Sequence, residues 1–237
     1  MPDQPYLLIG GSGKLGRMLL PLLACDAPTH AELDILQPDQ LPRIMKGKNY
    51  TAVIHLAAIT QATQAEKQPL EAYRVNVLGT RNVAKAAAAQ GLKVFYLSTD
   101  YVFDGVAGDY GETDVPKPAN WYGATKYAGE LELQEAGGPF AIFRTSFRPI
   151  QWGFPTAYTN VYTSADYVDV IAAEVAQAIR QNIDGTLHIG TPVKTFYDLA
   201  VRRNPEVRPE ICQDPAFPKR RNLNIDRWLA QKKEKAA

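Results

Sequence analysis

"YLLIGGSGKLG", residues 6–16, decides the fold. A short apolar run, bounded by Pro5 and by a glycine cluster, reads as a buried strand. Gly10, Gly13 and Gly16 follow at three-residue intervals, and a helical stretch, "KLGRMLLPLLA", begins at once, with Pro21 kinking it or ending it early. A bare glycine triplet is weak evidence, but strand before and helix after supply its context. Glycine permits the tight turn and lets backbone N–H groups approach a pyrophosphate, to which the helix N-terminus adds partial positive charge. The stretch predicts a dinucleotide-binding unit.

Further along the chain, "TAVIHLAA" (51–58) and "KVFYLST" (93–99) read as buried strands, and "FAIFRTS" (140–146) as another. Between them, residues 69–91 and the segment from Trp121 to about Gly137 read as helices. Apolar strands alternating with helices predict an α/β fold of Rossmann type, a doubly wound parallel sheet covered on both faces. Residues 1–146 form the expected dinucleotide-binding core. Residues 147–237 form a small, shortened substrate-binding part. In it "QWGFPTAYTN" is loop-like, a helix near 164–181 opens on Ser164 as N-cap and packs back on the core, and "TLHIG" is a short strand.

Composition narrows the function. A net charge of +1 over 237 residues supplies no basic field, so neither nucleic acid nor anionic membrane is an expected partner. Cys25 and Cys212 form no disulfide framework and no metal-ligand spacing, and no metal is expected. No run approaches 18 apolar residues and no signal peptide is read, so the expected location is cytoplasmic.

The second informative stretch is "NWYGATKYAGE", residues 120–130. On a helix, Tyr122 and Lys126 share a face. A nearby ammonium favours a phenolate, which predicts a lowered tyrosine pKa and a proton donor and acceptor suited to neutral pH. His55 and His188 lie in apolar strand patterns and read as core histidines. About 20 residues past the glycine loop stands "APTHAELDI". Asp34 or Glu32 on the ribose hydroxyls would favour NAD, whereas Thr29 and His30 there would accept a 2′-phosphate. The choice stays open between NADP and NAD, with NADPH slightly favoured by Thr29 and His30.

Together "GGSGKLG", "HLAAIT", "LSTDYVFDG" and "YGATKYAGE" resemble the extended short-chain dehydrogenase/reductases, and most of all the dTDP-4-dehydrorhamnose reductase group. The resemblance implies catalytic roles for Thr99, Tyr122 and Lys126. For the cofactor it implies Gly10, Gly13, Lys14, Leu15, Gly16, Asp34, Ile35, Ala57, Ala58, Asn76 and Ser98, together with Tyr122 and Lys126. For the substrate it implies Thr60, Thr99, Tyr101, Ser146, Phe147, Arg220 and Arg221. The implied activity is NAD(P)H-dependent reduction of a nucleotide-linked 4-keto-6-deoxysugar. The alternatives are a non-catalytic dinucleotide-binding regulatory subunit, or a nucleotide-sugar epimerase or dehydratase on the same fold. A homodimer is also open. The chain departs from the group at Ala62, Thr63 and Phe147, and the stretch from Ser146 to Ser164 is shorter than the group would have. In it Trp152, Phe154 and Tyr158 are either stacking partners for a ring or an apolar cover. Arg144 and Arg148 join Arg220 and Arg221 as candidates to grip a diphosphate.

Overall fold

The computed structural model describes residues 5–215 and 217–234; the first four residues, Ala216 and residues 235–237 lie outside the described residues. The first half of the chain runs β1 (Tyr6–Ile9), α1 (Lys14–Leu19), β2 (Cys25–Asp26), α2 (Gln40–Met45), β3 (Ala52–His55), α3 (Ala62–Lys67) and α4 (Pro69–Tyr73). A π-helical turn, Arg74–Gly79, joins α4 to α5 (Thr80–Ala88), and β4 (Lys93–Thr99) follows. Then come α6 (Trp121–Glu135) and β5 (Phe140–Thr145). The second half contains β6 (Phe147–Arg148), β7 (Thr156–Tyr158), β8 (Tyr162–Thr163), β9 (Asp166–Tyr167), α7 (Val168–Arg180), β10 (Gly185–His188), β11 (Lys194–Thr195), α8 (Phe196–Ala200), β12 (Arg208–Glu210) and α9 (Asp226–Glu234).

Six strands form one sheet in the order β10-β5-β4-β3-β1-β2, every pair parallel. Parallel strands need crossovers, and helices used as crossovers cover both faces, which is why these strands are apolar on both sides. Leu8, Ile54, Phe95 and Phe143 point to the face covered by α1 and α7. Their neighbours Leu7, Val53, Val94 and Ile142 point to the face where Leu41, Val83 and Leu133 pack. The strand period of two has sorted each run into two cores. At β1 the chain order reverses, since β2 lies on one side and β3 on the other. A crevice opens there at the carboxyl ends of the strands, the usual ligand position in such sheets.

The sixth strand comes from beyond residue 146, as does α7, which buries Ile171, Ala172, Val175 and Ile179 against the sheet. Trp228 of α9, with no exposed surface, closes the same core. The helix packs back as expected, but Ser164 is not its cap. Its hydroxyl accepts the Leu223 N–H at 2.9 Å, and α7 begins four residues later without a side-chain cap. Three two-stranded pieces, β6 with β9, β7 with β12 and β8 with β11, shape the remainder beside the crevice. Buried Asp166 ties them together, accepting hydrogen bonds from Thr191 at 2.9 Å and Arg202 at 3.0 Å, with the ammonium of Lys194 at 3.8 Å.

Candidate active site

The glycines of the first loop do different work. Gly10 has φ +92°, and a Cβ there would stand 2.7 Å from the Ala57 nitrogen, so β1 can meet the end of β3 only through glycine. At Gly16 a Cβ would lie 2.6 Å from the Gly10 carbonyl oxygen, which seats α1 on the loop. A Cβ on Gly13 would touch only the Gly10 oxygen, at 3.2 Å. Gly13 therefore faces open space, the cradle that a bulky anionic group approaching backbone N–H groups requires.

That space is a cavity of about 1300 Å³ along the strand ends. Most of the expected residues line it: Gly10, Gly13, Lys14, Leu15, Gly16, Asp34, Ile35, Ala57, Ala58, Ser98, Thr99, Tyr122 and Lys126, then Thr60, Tyr101, Ser146 and Phe147. His30 lines it as well, while Thr29 is turned to the Glu32 carboxylate, which accepts both its N–H and its hydroxyl at 2.8 Å. The carboxylate of Asp34 accepts the Leu36 N–H at 2.9 Å, so it shapes the turn at the cavity edge. Asp26 ends β2, where the sequence reading marked no strand; its carboxylate accepts from Tyr50 at 3.1 Å and Lys48 at 3.3 Å.

Asn76 sits behind the cavity wall. It lies in the π-helical turn, fully buried; its Oδ1 accepts the Ile59 N–H at 2.8 Å. Its Nδ2 donates to the Ile59 carbonyl and to Thr125 Oγ1, both at 3.0 Å. One side chain thus pins the loop after β3 to α6. An inserted turn of this kind re-aims a side chain that a continuous helix would carry past its target. The sequence reading treated 69–91 as one regular helix and had no sign of the bulge.

Two elements, β4 and α6, bring Thr99, Tyr122 and Lys126 to the cavity. Thr99 ends β4, and its hydroxyl accepts the Tyr101 N–H at 3.3 Å, turning the chain sharply. Asn120 caps α6 through the Gly123 N–H at 2.8 Å, so Tyr122 stands at the helix start beside Thr99. Tyr122 is 8 % exposed and packs edge-on against Tyr101, centroids 5.5 Å apart. Burial raises its phenol above the ordinary tyrosine range; the Thr99 hydroxyl opposes the rise and Asp100 adds to it. The expected lowering by Lys126 is absent from this balance. Lys126 Nζ lies 3.9 Å from the centroid of the Tyr96 ring, and burial lowers its own pKa to about 7, with Glu130 opposing. In this geometry a cation–π contact, not the phenol, takes the ammonium.

Glu130, which the sequence reading passed over, organises the layer beneath. It has no exposed surface and receives Arg144 in a fork, Nε to Oε1 at 3.1 Å and Nη2 to Oε2 at 2.7 Å. The Ser98 hydroxyl donates to it at 2.5 Å. Its spacing of four from Lys126 was a legible signal. Arg144 is thereby removed from the diphosphate candidates. Arg221 also points elsewhere: buried, 4.0 Å from Asp100 and 3.9 Å over the Tyr101 ring, it braces the wall behind Thr99. Arg220 lies over Tyr162, and neither residue lines the cavity. Trp152 and Phe154 do line it, whereas Tyr158 packs on Phe217. The two histidines are core residues. His55 Nε2 lies 3.0 Å from Thr80 Oγ1, and burial holds its pKa down to about 3; His188 Nδ1 lies 3.0 Å from the Tyr110 carbonyl. Among the described residues no cluster of metal ligands occurs, and no helix is long and apolar enough to cross a membrane.

Comparison with known proteins agrees with this geometry. The chain is 34% identical over 178 residues to a dTDP-4-dehydrorhamnose reductase of Aggregatibacter actinomycetemcomitans, covering 71% of this chain and 60% of that one. It is 31% identical over 165 residues to methionine adenosyltransferase 2 subunit beta of Rattus norvegicus, covering 65% of this chain and 48% of that one. The chain thus spans about half to three fifths of the length of these curated relatives. Among solved structures, a dTDP-4-dehydrorhamnose reductase of Bacillus anthracis in complex with NADP superposes with a TM-score of 0.84 at 28% identity, over 98% of this chain and 92% of that one. The family model described as the RmlD substrate binding domain matches residues 5–148, well over half of the sequence, and the chain belongs to that family.

Proposed function

We propose that the protein is an NAD(P)H-dependent reductase of a keto group on a nucleotide-linked deoxysugar, as the dTDP-4-dehydrorhamnose reductases among its relatives are named. One observation carries the reading: the glycine cradle, Thr99, Tyr122 and Lys126 all open on one cavity. Its residues fit a dinucleotide, since Gly13 leaves room for a pyrophosphate and the cavity continues past Ala57 and Ala58 to Lys126. A reduced nicotinamide bound there would supply hydride to the carbonyl carbon. Thr99 and Tyr122 then donate hydrogen bonds to the oxygen on which negative charge develops, and Tyr122 Oη delivers the proton. Lys126, which lines the same cavity, would hold the ribose hydroxyls of that dinucleotide through Nζ. Asn76 fixes the wall on which these groups stand. The bound structure of the B. anthracis relative supports NADP, and His30 at the cavity edge fits a 2′-phosphate, so NADPH is favoured over NADH. We place the protein in the cytoplasm, and a homodimer is compatible with this reading.

The likeness to methionine adenosyltransferase 2 subunit beta favours a second reading, a dinucleotide-binding partner of another enzyme. Thr99, Tyr122 and Lys126 in one cavity argue for the first. The deciding experiment follows NADPH and NADH oxidation with a panel of nucleotide-linked 4-ketosugars. Turnover that Tyr122→Phe removes supports the reductase; tight NADPH binding with no oxidation of any panel member supports the partner.

A further inference from the structure

Arg148 is an unusual cation. It ends β6 on the wall of the cavity that Thr99 and Tyr122 also line, and its guanidinium carbon stands 4.4 Å from the centre of the Phe196 ring. Its Nε is buried without a hydrogen-bond partner, and among the described residues it forms no ion pair. The acid in its neighbourhood, Asp100, feels Arg221 more strongly and lies 4.0 Å from it. The buried carboxylate nearby is thus engaged by Arg221, and the Arg148 guanidinium keeps an orphaned Nε. An unpaired, partly desolvated guanidinium is costly in a folded protein, and its planar donors are shaped for an oxyanion.

The ring beneath Arg148 starts a chain of aromatics toward the cavity mouth. Phe196 meets Trp152 at 6.1 Å between centroids, and Trp152 meets Phe154 at 5.9 Å and 70°. Trp152 is partly buried and its indole N–H donates to the Thr156 carbonyl at 3.2 Å, so it is fixed. Phe154 lines the cavity and is 63% exposed.

We propose that Arg148 and Phe154 form the nucleotide end of the substrate site, Arg148 gripping a phosphoryl oxyanion and Phe154 stacking on the base. This rests on the reading that the substrate is a nucleotide-linked sugar. It moves the diphosphate contact from the basic tail, Arg220 and Arg221, to the segment directly after β5.

The test is calorimetric titration of the NADPH-loaded protein with thymidine diphosphate, uridine diphosphate and inorganic pyrophosphate. The parent binds at least one nucleoside diphosphate. Arg148→Gln weakens nucleoside diphosphate and pyrophosphate by about tenfold or more, while its NADPH affinity stays at the parent value, which also reports folding. Arg148→Lys, keeping the charge but losing the fork, falls between the two. Phe154→Ala weakens the nucleoside diphosphate about fivefold and leaves pyrophosphate unchanged. A parent that binds neither nucleoside diphosphate overturns the proposal, as does an Arg148→Gln protein that binds as the parent does. Parent-like binding by Phe154→Ala overturns the stacking half. If thymidine diphosphate binds through Arg148 but no ketosugar is reduced, the reductase reading falls and this site stands. If a ketosugar is reduced with the same Michaelis constant in Arg148→Gln, this site falls and the reductase stands.

Discussion

Tyr122 and Lys126 share a helix face yet answer to different neighbours, and each is open to a separate test. For Tyr122→Phe the expected outcome is turnover lowered about 100-fold or more, the usual worth of a positioned general acid. The ring still packs on Tyr101, so melting temperature and NADPH affinity stay at the parent values; a variant that turns over like the parent removes Tyr122 from the mechanism. For Lys126 the electrostatics predict a trade. Its folded-state pKa, lowered to about 7 by burial, lies below the unfolded value near 10.5. Folding therefore carries the full cost of a buried charge below pH 7, and that cost fades as pH rises toward 10.5. Lys126→Met is expected to lose activity yet melt a few degrees higher than the parent at pH 6.5, with the gap closing by pH 10. Differential scanning calorimetry at both pH values checks it, and a variant less stable at pH 6.5 refutes the sign.

Elements decide which glycine does what. Gly13→Val should fold, since its Cβ meets only one carbonyl at 3.2 Å, but should lose dinucleotide binding because the side chain enters the cradle. Gly16→Val should instead destabilise the fold, its Cβ being driven to within 2.6 Å of the Gly10 oxygen. Urea unfolding and NADPH titration of both variants separate the two roles; equal loss of stability would show that the glycines are interchangeable. This contrast was invisible in the spacing of three. The loop itself, β1, β3, β4, β5 and α6 were legible because apolar runs and punctuating glycines have strictly local causes. The bulge at 74–79 was not, because it exists to bring Asn76 to Ile59 and Thr125, partners up to 49 residues away. Lys126 on Tyr96 and Arg221 on Asp100 escaped for the same reason: motif spacing reports which face a side chain leaves from, and tertiary packing decides where it ends.

At the scale of the whole molecule, the division at residue 146 is a proposal about function more than about stability. A fragment ending at residue 148 would uncover Leu8, Ile54, Phe95 and Phe143, which α7 and Trp228 cover in the full chain. Such a fragment is expected to lack cooperative unfolding by circular dichroism, and a sharp two-state transition would show that the first 148 residues are an autonomous domain. The same feature sets a timetable for biosynthesis. Between the emergence of Thr145, which ends β5, and of Trp228 the ribosome must add about 80 residues, roughly 4–16 s at ordinary elongation rates. For about the first half of that interval, until α7 and β10 emerge, the nascent sheet presents an apolar face and an unpaired edge beside β5, and the face stays incompletely covered until Trp228 follows. The protein is therefore a natural client for chaperones that bind exposed hydrophobic strands, and its yield should depend on translation speed over residues 146–228 more than over any segment before them.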